Sequence, residues 1–131
     1  MASPVMLYAA ICALILIWLS TRVIQGRVAF RVNLGDGGNE VMQRRIRVQA
    51  NFIEYVPVAL VLMLLVQQAG FGAWVVHALG IALVIARLLH ATGLGRFAGV
   101  SNGRVYGTGL TLAVLFAGAT LALLGAFGVR F

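Results

Sequence analysis

One stretch of this chain carries charged and amide side chains into an otherwise apolar run: Arg44-Arg45-Ile46-Arg47-Val48-Gln49-Ala50-Asn51-Phe52-Ile53-Glu54-Tyr55-Val56-Pro57. On a helix, residues three or four apart share a face. Arg44, Arg47, Asn51 and Glu54 have that spacing and form one polar stripe. Glu54 lies about 10 Å beyond Arg47 along the axis, at 1.5 Å per residue. A carboxylate at that depth costs about 2.5–3.5 kcal/mol against lipid, so the stripe must face protein, water or a ligand. It reads either as an Arg–Glu pair that orients helices or as a binding surface. The convergence of four polar groups favours binding.

Further candidates lie downstream. Arg87 and His90 are three apart and share a face near the end of a third apolar run. His77, nearer the other end of that run, reads as structural or interfacial. Ser101 or Asn102 can cap a fourth helix, which puts Arg104 in its first turn. A cation there opposes the helix dipole, and so suggests an anionic partner, whether a ligand or a lipid phosphate. Pro57 removes one backbone hydrogen bond and predicts a kink just past Glu54. Gly35-Asp36-Gly37-Gly38-Asn39 reads as a turn, since the spacing and lysine of a phosphate loop are absent. The single cysteine, Cys12, excludes an internal disulfide and a paired-cysteine metal site, and reads as a small packing residue.

The elements that position these residues must be membrane spans. The chain is 62% hydrophobic and 10% charged, whereas soluble domains are nearer half apolar and a quarter charged. So much apolar surface exceeds what an interior of this size can hide. Apolar runs at about 4–24, 48–68, 73–89 and 105–129 each approach the roughly 20 residues a spanning helix needs. The first lacks a basic leader and reads as a retained helix. The expectation is one domain over 1–131, an all-α bundle of four transmembrane helices. The net charge of +7 comes from arginine alone. Long apolar spans interrupt those arginines, which points away from nucleic acid and toward a membrane face or a small anionic ligand. Arg22, Arg27, Arg31, Arg44, Arg45 and Arg47 cluster around the first connection, and Arg87, Arg96 and Arg104 around the third. Only Arg130 falls at the opposite end. The positive-inside rule makes the arginine-rich side cytoplasmic, with both termini outside.

Several arginines suit carboxylates through two-pronged hydrogen bonds, and Glu54 beside Asn51 suits an ammonium. Glutathione offers both, together with a thiol that reacts as the thiolate and that a nearby guanidinium activates. Many other zwitterions satisfy the same groups.

The run from Arg47 to Pro57, R-x-Q-x-N-x-x-E-Y-x-P, resembles the signature of the MAPEG superfamily, the membrane-associated proteins of eicosanoid and glutathione metabolism. Four spans, a similar length and an arginine-rich first connection extend the resemblance, and Gly35-Asp36-Gly37-Gly38-Asn39 looks like the bacterial branch. The resemblance implies a homotrimer that holds glutathione between neighbouring subunits near the cytoplasmic side. It implies glutathione contacts from Arg47, Gln49, Asn51, Glu54 and Tyr55, from Arg27 in Gly26-Arg27-Val28-Ala29-Phe30-Arg31, and from Arg87 and His90. Arg104 resembles the fourth-helix arginine that stabilises the thiolate. One helical turn past His90, where the eicosanoid synthases carry a tyrosine, this chain has Leu94. The implied activity is therefore transfer of glutathione to apolar electrophiles arriving from the bilayer, or reduction of lipid hydroperoxides, with no metal. A small proton-coupled transporter using Glu54 and a non-catalytic membrane scaffold of the same fold are the alternatives.

Overall fold

A computed structural model describes residues 3–96, 99 and 101–129. Helix α1 spans Pro4–Phe30, α2 Glu40–Gln68, α3 Ala73–Arg96 and α4 Asn102–Ala126. All four contain a window long and apolar enough to cross a membrane. The fold is an all-α, four-helix membrane bundle, with α2 and α3 at its centre: α1 packs on both of them, and so does α4.

The first three helices outrun the apolar runs that mark them in the sequence, whereas α4 starts earlier, at Asn102, and ends at Ala126, short of the expected 129. Helix α2 starts at Glu40, because Asn39 caps it by accepting the Met42 N–H at 3.0 Å. Glu40 in the first turn also suits the positive end of the helix dipole. The two extra turns carry Arg44, Arg45 and Arg47, which lower the local hydropathy without breaking the helix. Helix α1 likewise runs to Phe30 and ends on Arg31 in the left-handed region, φ 56°. Between them, Gly35, Gly37 and Gly38 all take positive φ, and Asp36 Oδ1 accepts the Gly38 N–H at 2.9 Å. That segment is a turn, as its composition indicates. Helix α2 continues through Pro57, whose ring lines an apolar groove against α1.

Inside a bilayer, helices associate through close packing rather than apolar burial, and small residues mark the contacts. The seam between α3 and α4 follows that rule. A Cβ on Gly107 would lie 2.6 Å from the His90 nitrogen and 2.7 Å from the Ala86 oxygen. One on Gly103 would lie 2.9 Å from the Leu89 oxygen, and one on Gly93 would strike the Arg104 nitrogen. The two backbones therefore touch along two turns, which locks Arg104 in register with His90.

At the end away from the arginines, Gln67 Nε2 donates to Ser3 Oγ at 2.9 Å and joins α1 to α2. The Tyr8 hydroxyl hydrogen-bonds His77 Nδ1 at 2.9 Å and joins α1 to α3. His77 thus has a structural partner, and Cys12 is a buried member of the core. Arg130 and the Arg96 side chain, assigned above to opposite ends, lie outside the described residues.

Candidate functional site

An open polar cleft of about 250 Å³ lies at the arginine-rich end. Helix α2 supplies Glu40, Gln43, Arg44, Arg47 and Asn51, α3 supplies His90 and Leu94, and α4 supplies Arg104. The polar stripe of α2 therefore forms one wall as far as Asn51, with Glu54 beyond it. Its spacing puts successive turns on that wall, and the early start of α2 lengthens it by Glu40 and Gln43.

Arg104 stands on the opposite wall. Ser101 caps α4, its Oγ accepting the Arg104 N–H at 3.3 Å, and the glycine seam brings this turn against α3. The Arg104 side chain is exposed and makes no ion pair among the described residues. The other cations are loosely paired. Arg44 lies 3.9 Å from Glu40 and Arg47 lies 3.8 Å from Glu54. Pairs with this much exposure contribute little to stability, so both guanidinium groups can exchange their partner for a ligand carboxylate at little cost.

Beneath the cleft is Arg87, only 2% exposed. Its Nη1 donates to Asn51 Oδ1 at 2.8 Å and reaches the Asn51 carbonyl at 3.4 Å. Its Nε and Nη2 have no partner among the described residues. Because Oδ1 accepts from Arg87, the Asn51 Nδ2 donors are left for the cleft. A buried guanidinium without a carboxylate is costly, and such a cost persists where a structure has another use for the group. His90, also buried, forms part of the cleft beside it. Among the described residues, no three His, Cys, Asp or Glu side chains gather in a metal-binding group.

The profile of the MAPEG family matches residues 5–124. The chain belongs to the MAPEG family. Two curated relatives are inner membrane proteins called YecN, one from Escherichia coli K12 and one from Escherichia coli O6:H1. Each is 44% identical over 87 residues. The match covers 66% of this chain and 66% of each relative, so the chain spans just under two thirds of their length.

Seen on the MAPEG fold, the candidate residues divide between two faces of α2. Arg47, Asn51, His90 and Arg104 line the cleft, with Arg87 under it. Gln49 turns the other way, and its Nε2 donates to Ser20 Oγ on α1 at 2.7 Å. Arg27 is also away from the cleft and braces the first turn, donating to the Gly35 carbonyl at 3.1 Å. Glu54 lies outside the cleft, half-exposed beside Arg47, and Tyr55 is half-buried on the same helix. One copy of the chain does not bring both sets to a single ligand.

Glu40 and Gln43 are cleft residues that the sequence alone does not single out, and Leu94, named above only as a departure from the eicosanoid synthases, lines the cleft as well. Glu40 and Gln43 precede the apolar run but follow Asn39, and that capping residue was the signal for them. Leu94, one turn past His90, shares its face.

Proposed function

We infer that this MAPEG protein binds glutathione and presents its thiolate to apolar electrophiles or lipid hydroperoxides that reach it from the bilayer. The observation that carries this reading is the cleft itself. Three guanidinium groups, Arg44, Arg47 and Arg104, surround it, Glu40 supplies a carboxylate, and the buried Arg87 orients the Asn51 amide toward it. Guanidinium forks suit the two ligand carboxylates, and Glu40 suits the ammonium. Arg104, exposed on the cleft wall and without an ion pair among the described residues, favours the thiolate over the thiol. In transfer, the thiol proton leaves to solvent and the sulfur forms a bond to the electrophilic carbon as the leaving group departs.

The division of candidate residues supports a site shared between copies, and so a homotrimer. Arg27 and Gln49 of one copy complete the cleft formed by Arg47, Asn51, His90 and Arg104 of its neighbour. A trimer also covers the Arg47–Glu54 pair, which in one copy is half-exposed at a depth where lipid would otherwise face it. The relatives' location in the inner membrane supports the same location here, and the positive-inside rule turns the arginine-rich end to the cytoplasm. A proton-coupled exporter fits less well, because the cleft is cationic and Glu54 lies outside it.

Mixing two defective chains tests the shared site. Arg27→Ala and Arg104→Ala chains, co-expressed with different tags and purified as mixed oligomers, are expected to recover intact glutathione sites that neither parent forms. Mixed oligomers in which the thiolate signal of bound glutathione does not recover would mean that the ligand is held within one copy. Arg87→Leu is expected to keep the fold, since an apolar side chain of similar volume replaces a buried cation. It should weaken glutathione binding about fivefold, through release of the Asn51 amide. Unchanged affinity, read by calorimetry, would remove Arg87 from the site.

A further inference from the structure

Arg22 has no role in the cleft. Its guanidinium carbon lies 5.4 Å from the centre of the Trp18 ring, one turn earlier on α1. Helical side chains lean toward the N-terminus, so the cation is drawn back over the indole and held at a fixed depth. Below this pair, an open apolar groove of about 410 Å³ follows the same face of α1, lined by Ile11, Leu14, Ile15, Trp18 and Leu88 of α3. On the other side of Arg22, Arg45 reaches across from α2, and its Nη1 donates to the Arg22 carbonyl at 2.9 Å. Leu19, Arg22, Arg45 and Val48 share one small depression there. The Arg45 Nε is buried and has no partner among the described residues.

We propose that Arg22 and Arg45 bind the phosphodiester of an anionic phospholipid, one of whose acyl chains lies along the groove beneath Trp18. The arrangement has the order of a lipid: a cation at the interface, an indole at the headgroup boundary, and an apolar channel running into the bilayer. A lipid-facing groove by itself has no headgroup preference. The arginine stacked at its mouth supplies one.

Charge also separates a lipid from a second copy of the chain as the occupant. The sequence has three acidic side chains. Glu40 lies 3.9 Å from Arg44 and Glu54 3.8 Å from Arg47 within the same helix, and Asp36 accepts the Gly38 amide within its turn. A neighbouring copy, with ten arginines against three acidic side chains and a net charge of +7, is a poor source of anions for Arg22 and Arg45, whereas the leaflet facing this end supplies phosphates. The site does not depend on glutathione binding.

Fluorescence quenching tests the proposal. Trp18 and Trp74 are the two tryptophans, and Trp74 lies exposed at the opposite end of the bundle, so Trp74→Phe leaves Trp18 as the reporter. The full chain is reconstituted in phosphatidylcholine vesicles doped with phosphatidylglycerol or phosphatidylcholine brominated on an acyl chain. The brominated phosphatidylglycerol is expected to reach half-quenching at about one fifth of the mole fraction that brominated phosphatidylcholine requires, the factor one arginine near an anionic headgroup supplies. Arg22→Gln should bring the two curves together while leaving quenching by brominated phosphatidylcholine unchanged, which shows the variant folded and inserted. Coincident curves in the parent would overturn the proposal, as would a separation that survives Arg22→Gln. Weak quenching by both lipids would show that a protein surface covers Trp18, and would overturn it equally.

Discussion

Arg104→Ala is expected to reduce the thiolate fraction of bound glutathione by about 10–100-fold while leaving the helices packed. A hydrogen bond to a charged group is worth about 1.5–3 kcal/mol, and here that energy separates thiolate from thiol. The side chain has no part in the fold: it is exposed, and among the described residues it makes no ion pair. What anchors its turn is the backbone N–H donated to Ser101 Oγ, which alanine retains. Alanine also removes a cation from the positive end of a helix dipole, a change that favours the helix slightly. Thermal stability should therefore stay within about 0.5 kcal/mol of the parent. The ultraviolet absorbance of the thiolate, measured on rapid mixing with glutathione, checks the first part, and a melting curve in detergent checks the second. A variant with a full thiolate signal would exclude Arg104 from this role.

Gly107→Leu is expected to cost about 3 kcal/mol or more and to eliminate the cleft with it. The new Cβ would meet backbone, the His90 nitrogen at 2.6 Å and the Ala86 oxygen at 2.7 Å. Backbone cannot rotate out of the way as a side chain can, so α3 and α4 must separate. Overpacking of a tight core typically costs about 1–3 kcal/mol, and this contact lies at the severe end. Separation carries Arg104 away from His90, so ligand binding falls together with stability. Gly109 is the matched control. It lies two residues further along the same helix, with nothing within 4 Å of an added Cβ, so Gly109→Leu should melt within about 0.5 kcal/mol of the parent. Equal melting temperatures for the two variants would contradict the account of the seam.

Some parts of the protein are legible in its sequence. The four spans are, because apolar runs near membrane length have few other uses. Most of the polar stripe is too: Arg44, Arg47 and Asn51 stand on one wall because helical spacing puts them there, while Glu54 falls outside the cleft. Helix ends are less so. Hydropathy falls at the arginines although the helix continues to its Asn39 cap, and Glu40 and Gln43 are lost with that extension. The faces of α3 and α4 are harder still, since helices apolar all round show no amphipathic period. The available signal was the spacing of Gly103, Gly107 and Thr111, small residues four apart.

The family resemblance groups Gln49 with Arg47 and Asn51, yet two residues separate it from each. At 3.6 residues per turn that is about 200° around the helix, the opposite face. The resemblance alone thus does not reveal that the candidate site residues fall on two surfaces. Helical geometry applied to the same motif does, and that division supports an assembly of copies.

The most direct test of the central claim is calorimetric titration of glutathione into the detergent-solubilised protein, with Arg47→Ala and Arg27→Ala alongside. Saturable binding that both variants weaken is expected, although their side chains lie on different surfaces of one copy. A folded, oligomeric protein that takes up no glutathione would contradict it.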